Sequence, residues 1–225
     1  MTTNMTDEWV RRAVAANPCK LLDSGNVRTC PVRLSFPKIF ERGKPQPPNL
    51  VGKYKANLLF PAGADISFLK KAASEATLAK WANAGTKGGP KLKSPFKDGG
   101  TVDPDTGMSM ADQYEGYAAG SAYIIATGDR QPAVIDSRLA AITDPARVYP
   151  GVWAIVTLRP FTYDKGVNKG TSFGLQSLMI IADDTEWGGG GGNPSSDYAG
   201  VSVDASTTAE GVFGDDAEKA NALFD

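Results

Sequence analysis

Aromatic and basic side chains are interleaved at several places in this sequence, a combination that can hold a string of phosphates and flat rings. Cations neutralise phosphates, and exposed rings stack on bases with a contribution of about 1–3 kcal/mol per base, whatever the base. Any single ring could instead belong to the core, but the group as a whole predicts a surface for single-stranded nucleic acid. The candidate binding residues are Lys53, Tyr54, Lys55, Lys91, Lys93, Phe96, Arg147, Tyr149, Trp153, Arg159, Phe161, Tyr163, Lys165 and Lys169.

The sequence offers little for other kinds of chemistry. It contains no histidine, which excludes Ser-His-Asp and Cys-His catalysis and removes the commonest metal ligand. Its two cysteines, Cys19 and Cys30, form no CxxC pair and are expected to be reduced thiols rather than zinc ligands. The stretch "GTKGGPKLKS" matches neither phosphate-binding glycine motif. We therefore expect no cofactor, no metal and no enzymatic activity.

The net charge of −1 conceals two oppositely charged parts. Residues 1–182 carry a net charge of +8, whereas residues 183–225 carry −9. A basic body suggests a polyanionic partner, and the acidic tail is expected to compete with that partner or to bind another protein. An acidic linker without function is the alternative. The candidate docking residues at the tail's end are Asp215, Asp216, Glu218, Leu223, Phe224 and Asp225.

The elements that must position these residues are mostly strands. Strands are predicted in 27–36, 52–60, 121–127, 132–136, 149–163 and 170–182, and the last two form a hairpin whose loop is "DKGVNKG". One principal helix is predicted over about 65–83 with Asp65 as its N-cap. Residues 85–107, rich in Gly, Pro and Lys, should form a long exposed basic loop.

Alternation along the first hairpin strand separates two faces. One face, Val152, Ala154, Val156 and Leu158, is apolar throughout and should be core. The other face begins and ends in rings, and at least its Arg159 end is expected to be open to solvent. The residues of that second face are Trp153, Ile155, Thr157, Arg159, Phe161 and Tyr163.

These elements predict a mainly β fold, an OB-fold-like, partly open β-barrel with one principal helix. A β-sandwich is the competing architecture, since strand order cannot be read from the pattern. We predict three parts: an N-terminal extension, 1–26; a single-stranded-DNA-binding domain, 27–187; and a flexible Gly-rich acidic tail, 188–225. The tail is expected to be disordered because few of its residues could build a core.

The order of several segments carries a resemblance to a known family. These segments are "RLSFPKIFE", "GKYKANLLFPAGAD", "KDGG", "QPAVID", "VYPGVWAIVTLRPFTYD" and "NKGTSFGLQSLMIIADD", followed by the glycine-rich acidic tail. From about residue 27 to 190 the chain resembles the single-stranded-DNA-binding proteins of tailed bacteriophages. The resemblance implies an OB-fold, sequence-independent binding of single-stranded DNA, and a role in phage DNA replication or recombination. Tails of such proteins commonly end on an aromatic residue after acids, whereas here Asp225 follows Phe224.

Three hypotheses follow. The first is a binding protein for single-stranded DNA in the cytoplasm of the infected bacterial host, whose acidic tail meets replication or recombination proteins. The second is a carboxylate- and metal-dependent nuclease, and the third a phage structural or assembly protein. The sequence shows no apolar run of about 18 residues, so no membrane association is expected, and homodimer formation is left open.

Overall fold

The computed structural model describes residues 6–45 and 51–188. The chain divides into two units, Met1–Trp187 and Gly188–Asp225. The predicted disorder of the tail and its docking residues fall on 189–225, outside the described residues. The account below concerns the first unit.

Strands dominate this unit, so the predicted mainly β architecture is confirmed. Three α-helices are found in the described residues: α1 (Asp7–Ala16), α2 (Ser67–Lys80) and α3 (Met110–Gln113), with a 3-10 turn at Pro145–Arg147. The strands are β1 (Lys20–Leu21), β2 (Val27–Arg28), β3 (Val32–Lys38), β4 (Tyr54–Leu59), β5 (Phe96–Asp98), β6 (Ala122–Gly128), β7 (Ala133–Ile135), β8 (Trp153–Lys165) and β9 (Asn168–Ala182).

Five of the strands form a ring of pairings. β8 pairs with β3, β3 with β4, and β4 with β6, all antiparallel. β6 then meets β9 in parallel through only two residue pairs, and β9 returns to β8 as a long antiparallel hairpin. The junction of β3 with β8 is equally short, with two residue pairs, so the sheet is only partly closed, as in an OB-like fold.

The core fills the inside of this curved sheet. Its fully buried side chains include Leu34 on β3, Leu58 on β4, Ile124 on β6 and Phe173 on β9. Helix α2 covers one opening by inserting Leu69, Ala72 and Ala73, and it contacts β1, β2, β8 and β9. The predicted apolar face of β8 is confirmed, because Val152, Ala154, Val156 and Leu158 are all buried.

Two predicted boundaries are adjusted by the structure. The hairpin loop is a two-residue turn, Gly166 and Val167, because the strands pair up to Lys165 opposite Asn168. Helix α2 begins at Ser67 rather than at Asp65, although the Asp65 carboxylate does accept a hydrogen bond from the Ser67 amide at 2.8 Å. The helix ends at Lys80, and the amide of its C-cap Trp81 donates to the Thr77 carbonyl at 2.8 Å.

The segment before residue 27, for which the sequence suggested no function, takes part in the fold. β1 pairs with β2, and Cys19 is buried in the core beside Cys30, whose amide donates to the Cys19 sulfur at 3.2 Å. Both thiols are free, as expected. A separate hydrogen bond between the two thiol side chains, together with burial, raises the pKa of the Cys30 thiol. Helix α1 was not predicted; it buries none of its side chains but packs Trp9 against Trp153.

The predicted long loop 85–107 contains some regular secondary structure. It contains β5, which pairs with β6, and a bridge from Lys93 to Gly170 of β9. Among the helices of residues 6–45 and 51–188, none has the length and apolar character of a membrane span.

Candidate nucleic-acid interface

Strand register brings cations from three separate segments to one edge of the sheet. Lys38 at the end of β3 pairs with Lys55 on β4, and Tyr54 pairs with Gly128 at the end of β6. The loop after β3 therefore lies beside the start of β4 and the loop after β6. Arg42 ties these segments together by donating to the carbonyl oxygens of Gly52 at 3.1 Å and Asp129 at 2.6 Å.

A cavity of about 580 Å³ lies at this edge. Five cationic residues line it against a single acidic one, Glu41. The cationic residues are Lys38, Arg42, Lys44, Lys53 and Lys55. Such a charge ratio favours a phosphate-bearing ligand.

A second cavity, of about 710 Å³, adjoins the first and shares Lys53 with it. The loop after β6 supplies Asp129 and Arg130, and the middle of β8 supplies Arg159 and Phe161. We call the two cavities together the basic cleft. Its lining residues extend from the end of β3 to Arg159 and Phe161 on β8.

The groups in the cleft are available to a ligand to different degrees. The Arg159 side chain is exposed, and no other described residue forms an ion pair or a hydrogen bond with it. Phe161 is 36% exposed, as expected for a stacking ring. Lys53 forms an exposed ion pair with the Asp129 carboxylate at 3.3 Å. A phosphate can replace this carboxylate as the partner of Lys53 at little cost in free energy. The half-buried Tyr54 ring has the Arg42 guanidinium over it at 5.2 Å.

The far end of the hairpin gathers a second group of predicted residues. The Lys93 amide donates to the Lys169 carbonyl at 2.9 Å, which docks the segment carrying the exposed Lys91 onto the hairpin. Gly170 permits this approach, because a Cβ there would lie 2.4 Å from the Lys93 carbonyl oxygen. Half-buried Tyr163 pairs with Gly170, Lys165 is exposed at the turn, and Lys169 is 3.6 Å from Asp164.

Trp153 does not belong to this interface, which corrects the sequence-based expectation. It is only 4% exposed, and its indole nitrogen donates to the Asp184 carboxylate at 2.7 Å. Trp9 packs edge-on against its ring at a centroid distance of 5.5 Å. Arg33 closes the group by lying over the ring at 5.7 Å and binding Asp184 at 3.4 Å. Burial lowers the pKa of Arg33, and Asp184 opposes that effect.

Three more predicted residues are placed elsewhere. The Tyr149 hydroxyl donates to Asp183 at 3.1 Å, and burial raises its pKa. Arg147 lines a different cavity, together with Asp136 and Asp183. Phe96 packs edge-on against the buried Phe173 and faces a cavity that contains three aspartates. Arg138 also lines the Arg147 cavity, and Lys97 lines the Phe96 cavity, but in neither do cations outnumber carboxylates as they do beside Lys53.

The sequence reasoning missed Lys38, Arg42, Lys44 and Arg130. Lys38 ends β3, and the other three lie in the loops after β3 and β6. The search for interleaved rings and cations passed over them, although Phe36 and Phe40 flank Lys38. The signal that would have found them is the strand order, because the end of β3 and the end of β6 meet only when both flank β4. In the described part of the chain, no group of three or more carboxylate and thiol side chains is arranged to hold a metal ion.

Comparisons with known proteins identify a family and a shared fold. A family model described as Enterobacter phage Enc34, ssDNA-binding protein, matches residues 25–210. Among solved structures, the single-stranded-DNA-binding protein of bacteriophage Enc34 in complex with ssDNA is similar, with a TM-score of 0.57 and 23% identity, covering 76% of this chain and 94% of that one. The same protein in a second structure gives a TM-score of 0.56, with 23% identity and coverage of 81% and 94%.

A protein from another phage shares the fold. The single-stranded-DNA-binding protein gp2.5 of bacteriophage T7 gives a TM-score of 0.50 and 16% identity, covering 72% of this chain and 93% of that one. At these identities the structural likeness establishes the fold, and the family match confirms the resemblance inferred from the order of the segments. The search of curated proteins found no match.

Proposed function

Since the chain belongs to the family of the single-stranded-DNA-binding protein of Enterobacter phage Enc34, we propose that it binds single-stranded DNA without sequence preference during phage DNA replication and recombination. The family consists of binding proteins, in agreement with the prediction that the chain is not an enzyme. The proposed place of action is the cytoplasm of the infected bacterium.

The basic cleft is the observation that carries this proposal. Its two cavities join at Lys53 and hold seven cationic residues against two acidic ones, Glu41 and Asp129. The cationic residues are Lys38, Arg42, Lys44, Lys53, Lys55, Arg130 and Arg159. An elongated cationic channel with an exposed ring suits a flexible single strand, whose backbone follows the charges while its bases stack on the ring.

Within the cleft, Arg159 and Lys53 are proposed to bind phosphates, and Phe161 is proposed to stack on a base. Arg159 has no competing partner in the described residues, and Lys53 exchanges Asp129 for a phosphate. Tyr163, Lys165 and Lys169 would continue the contact along the hairpin, and the docked segment would add Lys91 and Lys93. Arg42 keeps Tyr54 in place and presents a guanidinium that can also contact the backbone of the strand.

The acidic tail is proposed to compete with DNA for the basic body and to bind replication or recombination proteins. The support is its charge, −9 over residues 183–225 against +8 over residues 1–182. An attached polyanion raises the effective concentration of negative charge near the cleft, so it weakens DNA binding without any specific fold. Docking to a protein partner is assigned to the tip that contains Leu223 and Phe224.

A gel-shift experiment with oligo-dT tests the proposal with the full chain and with residues 1–187. We expect retardation at low salt. The affinity for oligo-dT should fall by several orders of magnitude when salt is raised from about 50 to 200 mM. Deleting the tail should strengthen binding. The absence of retardation by residues 1–187 at low salt would contradict the proposal.

The same experiment discriminates against the other hypotheses. Adding magnesium should leave the oligonucleotide intact, whereas degradation would indicate a nuclease. A structural protein without affinity for nucleic acid would retard neither oligo-dT nor a mixed-sequence strand. Sedimentation of the complex reports whether it contains one chain or a homodimer.

A further inference from the structure

A row of four aromatic rings leads from a small buried cluster to solvent on the outer face of the sheet. The cluster contains Tyr117 and Tyr123, whose ring centroids are 5.0 Å apart. Tyr114 lies 6.4 Å from Tyr117, and Phe36 lies 4.9 Å from Tyr114. The two outer rings, Phe36 and Tyr114, are 40% and 43% exposed. The basic cleft contains neither of them, and the sequence analysis selected neither.

Phe36 occupies an unusual backbone position. Ser35 pairs with Asn57 and Lys38 with Lys55, so β3 holds one residue more than β4 between these pairs. Phe36 lies in this bulge with a φ of 47°, a value that bulky side chains rarely adopt. Bulges redirect a side chain next to functional sites. Here the bulge holds a large apolar ring out towards solvent, which does not serve core packing.

The support beneath the two rings is well defined. The Tyr117 hydroxyl accepts a hydrogen bond from the Asn57 amide at 2.7 Å, which fixes the third ring to β4. Tyr114 directly follows α3, whose first turn is fixed by a reciprocal pair of bonds between Ser109 and Asp112. The outer rings therefore rest on a fixed base, and a ligand would not have to order them.

Phe36 is close in sequence to the basic cleft. Lys38 follows Phe36 by two residues, and both Lys38 and Lys55 line the first cavity. A strand whose phosphates are held by these two lysines would have its next bases beside Phe36. This juxtaposition of cations and rings fits a nucleic acid better than an apolar peptide, which would leave the lysines without a partner.

We propose that Phe36 and Tyr114 form a second base-stacking platform, and that single-stranded DNA leaves the basic cleft across Lys38 and Lys55 to reach it. This inference rests on the proposed function and extends the path of the strand from β8 to the outer face of β3. The occupied length of DNA is correspondingly greater than the cleft alone would hold.

Binding of an oligo-dT length series by the full chain tests the platform. Phe36→Leu and Tyr114→Leu keep an apolar side chain but remove the ring. Each should weaken binding of the longest oligonucleotides by roughly 5- to 100-fold, the loss expected for one stacked base. Phe68→Leu is the matched control, because Phe68 on α2 is exposed to a similar extent, 43%, away from the cleft. Its affinity should equal that of the wild type.

A second measurement does not depend on variants. Oligo-dT with 5-iododeoxyuridine at successive positions is cross-linked to the wild-type protein, and the modified peptides are identified by mass spectrometry. Cross-links at Phe36 or Tyr114 are expected. If the wild type binds and Phe36→Leu behaves as Phe68→Leu at every length, with cross-links confined to the hairpin, the platform is wrong and the function stands. If the wild type does not bind at low salt, the function itself is wrong.

Discussion

A ring and a cation lie close together both at the start of β8 and farther along it, but the first pair is enclosed and the second is open to solvent. At one end, Trp153 and the neighbouring Arg33 are enclosed by Asp184 and Trp9. At the other, Phe161 is 36% exposed and Arg159 has no partner in the part of the chain that the structure describes. A ring and a cation near each other therefore do not by themselves make a binding surface. The difference is whether the protein supplies the polar partners or leaves them to a ligand.

Burial explains why the enclosed end is structural. The indole N–H of Trp153 and the guanidinium of Arg33 both bind Asp184, which is 3% exposed. A buried carboxylate is tolerated only when such donors satisfy it. The group also holds residues 183–187 against the sheet, because Arg33 donates to the Thr185 carbonyl at 3.0 Å and lies over the Trp187 ring at 4.1 Å.

Reversing the charge at the open end should give the largest effect. Arg159→Glu removes an unpaired cation from the cleft and adds repulsion, so we expect a loss of about 100-fold in affinity for oligo-dT at low salt, measured by fluorescence anisotropy. Arg147→Glu is the matched control, since Arg147 lies beside Asp136 and Asp183 in another cavity. Equal losses of affinity in the two variants would show that binding depends on the net charge of the protein and not on the position of Arg159.

Exchanging the ring at each end should separate binding from stability. Phe161→Leu should weaken oligo-dT binding by roughly 5- to 100-fold, through the loss of one stacked base, and change stability little. Trp153→Phe leaves Asp184 without one of its donors, so it should lower the free energy of unfolding by about 1–3 kcal/mol. Its affinity should be unchanged. Urea denaturation and fluorescence anisotropy on both variants check this. A loss of stability in Phe161→Leu together with a loss of affinity in Trp153→Phe would contradict the roles assigned to the two rings.

Glycines on β9 allow a smaller test of the open end. Gly170→Ala places a Cβ 2.4 Å from the Lys93 carbonyl oxygen, which should cost about 1–3 kcal/mol of stability and loosen the segment carrying Lys91. Gly174→Ala is the control, because its nearest atoms lie at 3.4 Å, an ordinary contact. The urea midpoint should fall for the first variant only. Equal midpoints would mean that the segment is not docked on the hairpin.

Local pattern was sufficient to predict most of the fold. The alternation of Val152, Ala154, Val156 and Leu158 identified the inner face of β8, and regular spacing identified α2 to within a few residues of each end. The hairpin turn was misplaced because "DKGVNKG" has the polar composition of a loop, although cross-strand pairing extends β8 to Lys165 and begins β9 at Asn168. Pairing between strands is a tertiary interaction that outweighs local composition.

The site was less accessible to sequence reasoning because its residues meet only through strand order. Arg130 and Lys38 lie far apart in the chain and approach each other because β3 and β6 both flank β4. Trp153 was misassigned for the same reason, since its partners Trp9, Arg33 and Asp184 come from three distant segments. The alternation showed that Trp153 leaves the inner core, but not that the outer face would be covered.

Lysine footprinting tests the central claim, that single-stranded DNA occupies the basic cleft. The wild-type protein is acetylated with and without saturating oligo-dT, and the modification of each lysine is quantified by mass spectrometry. The cleft residues Lys38, Lys53 and Lys55 should be protected by DNA, whereas Lys70 and Lys71 on α2 should react equally in both states. Protection of the α2 lysines together with unchanged reactivity of Lys53 would contradict the claim.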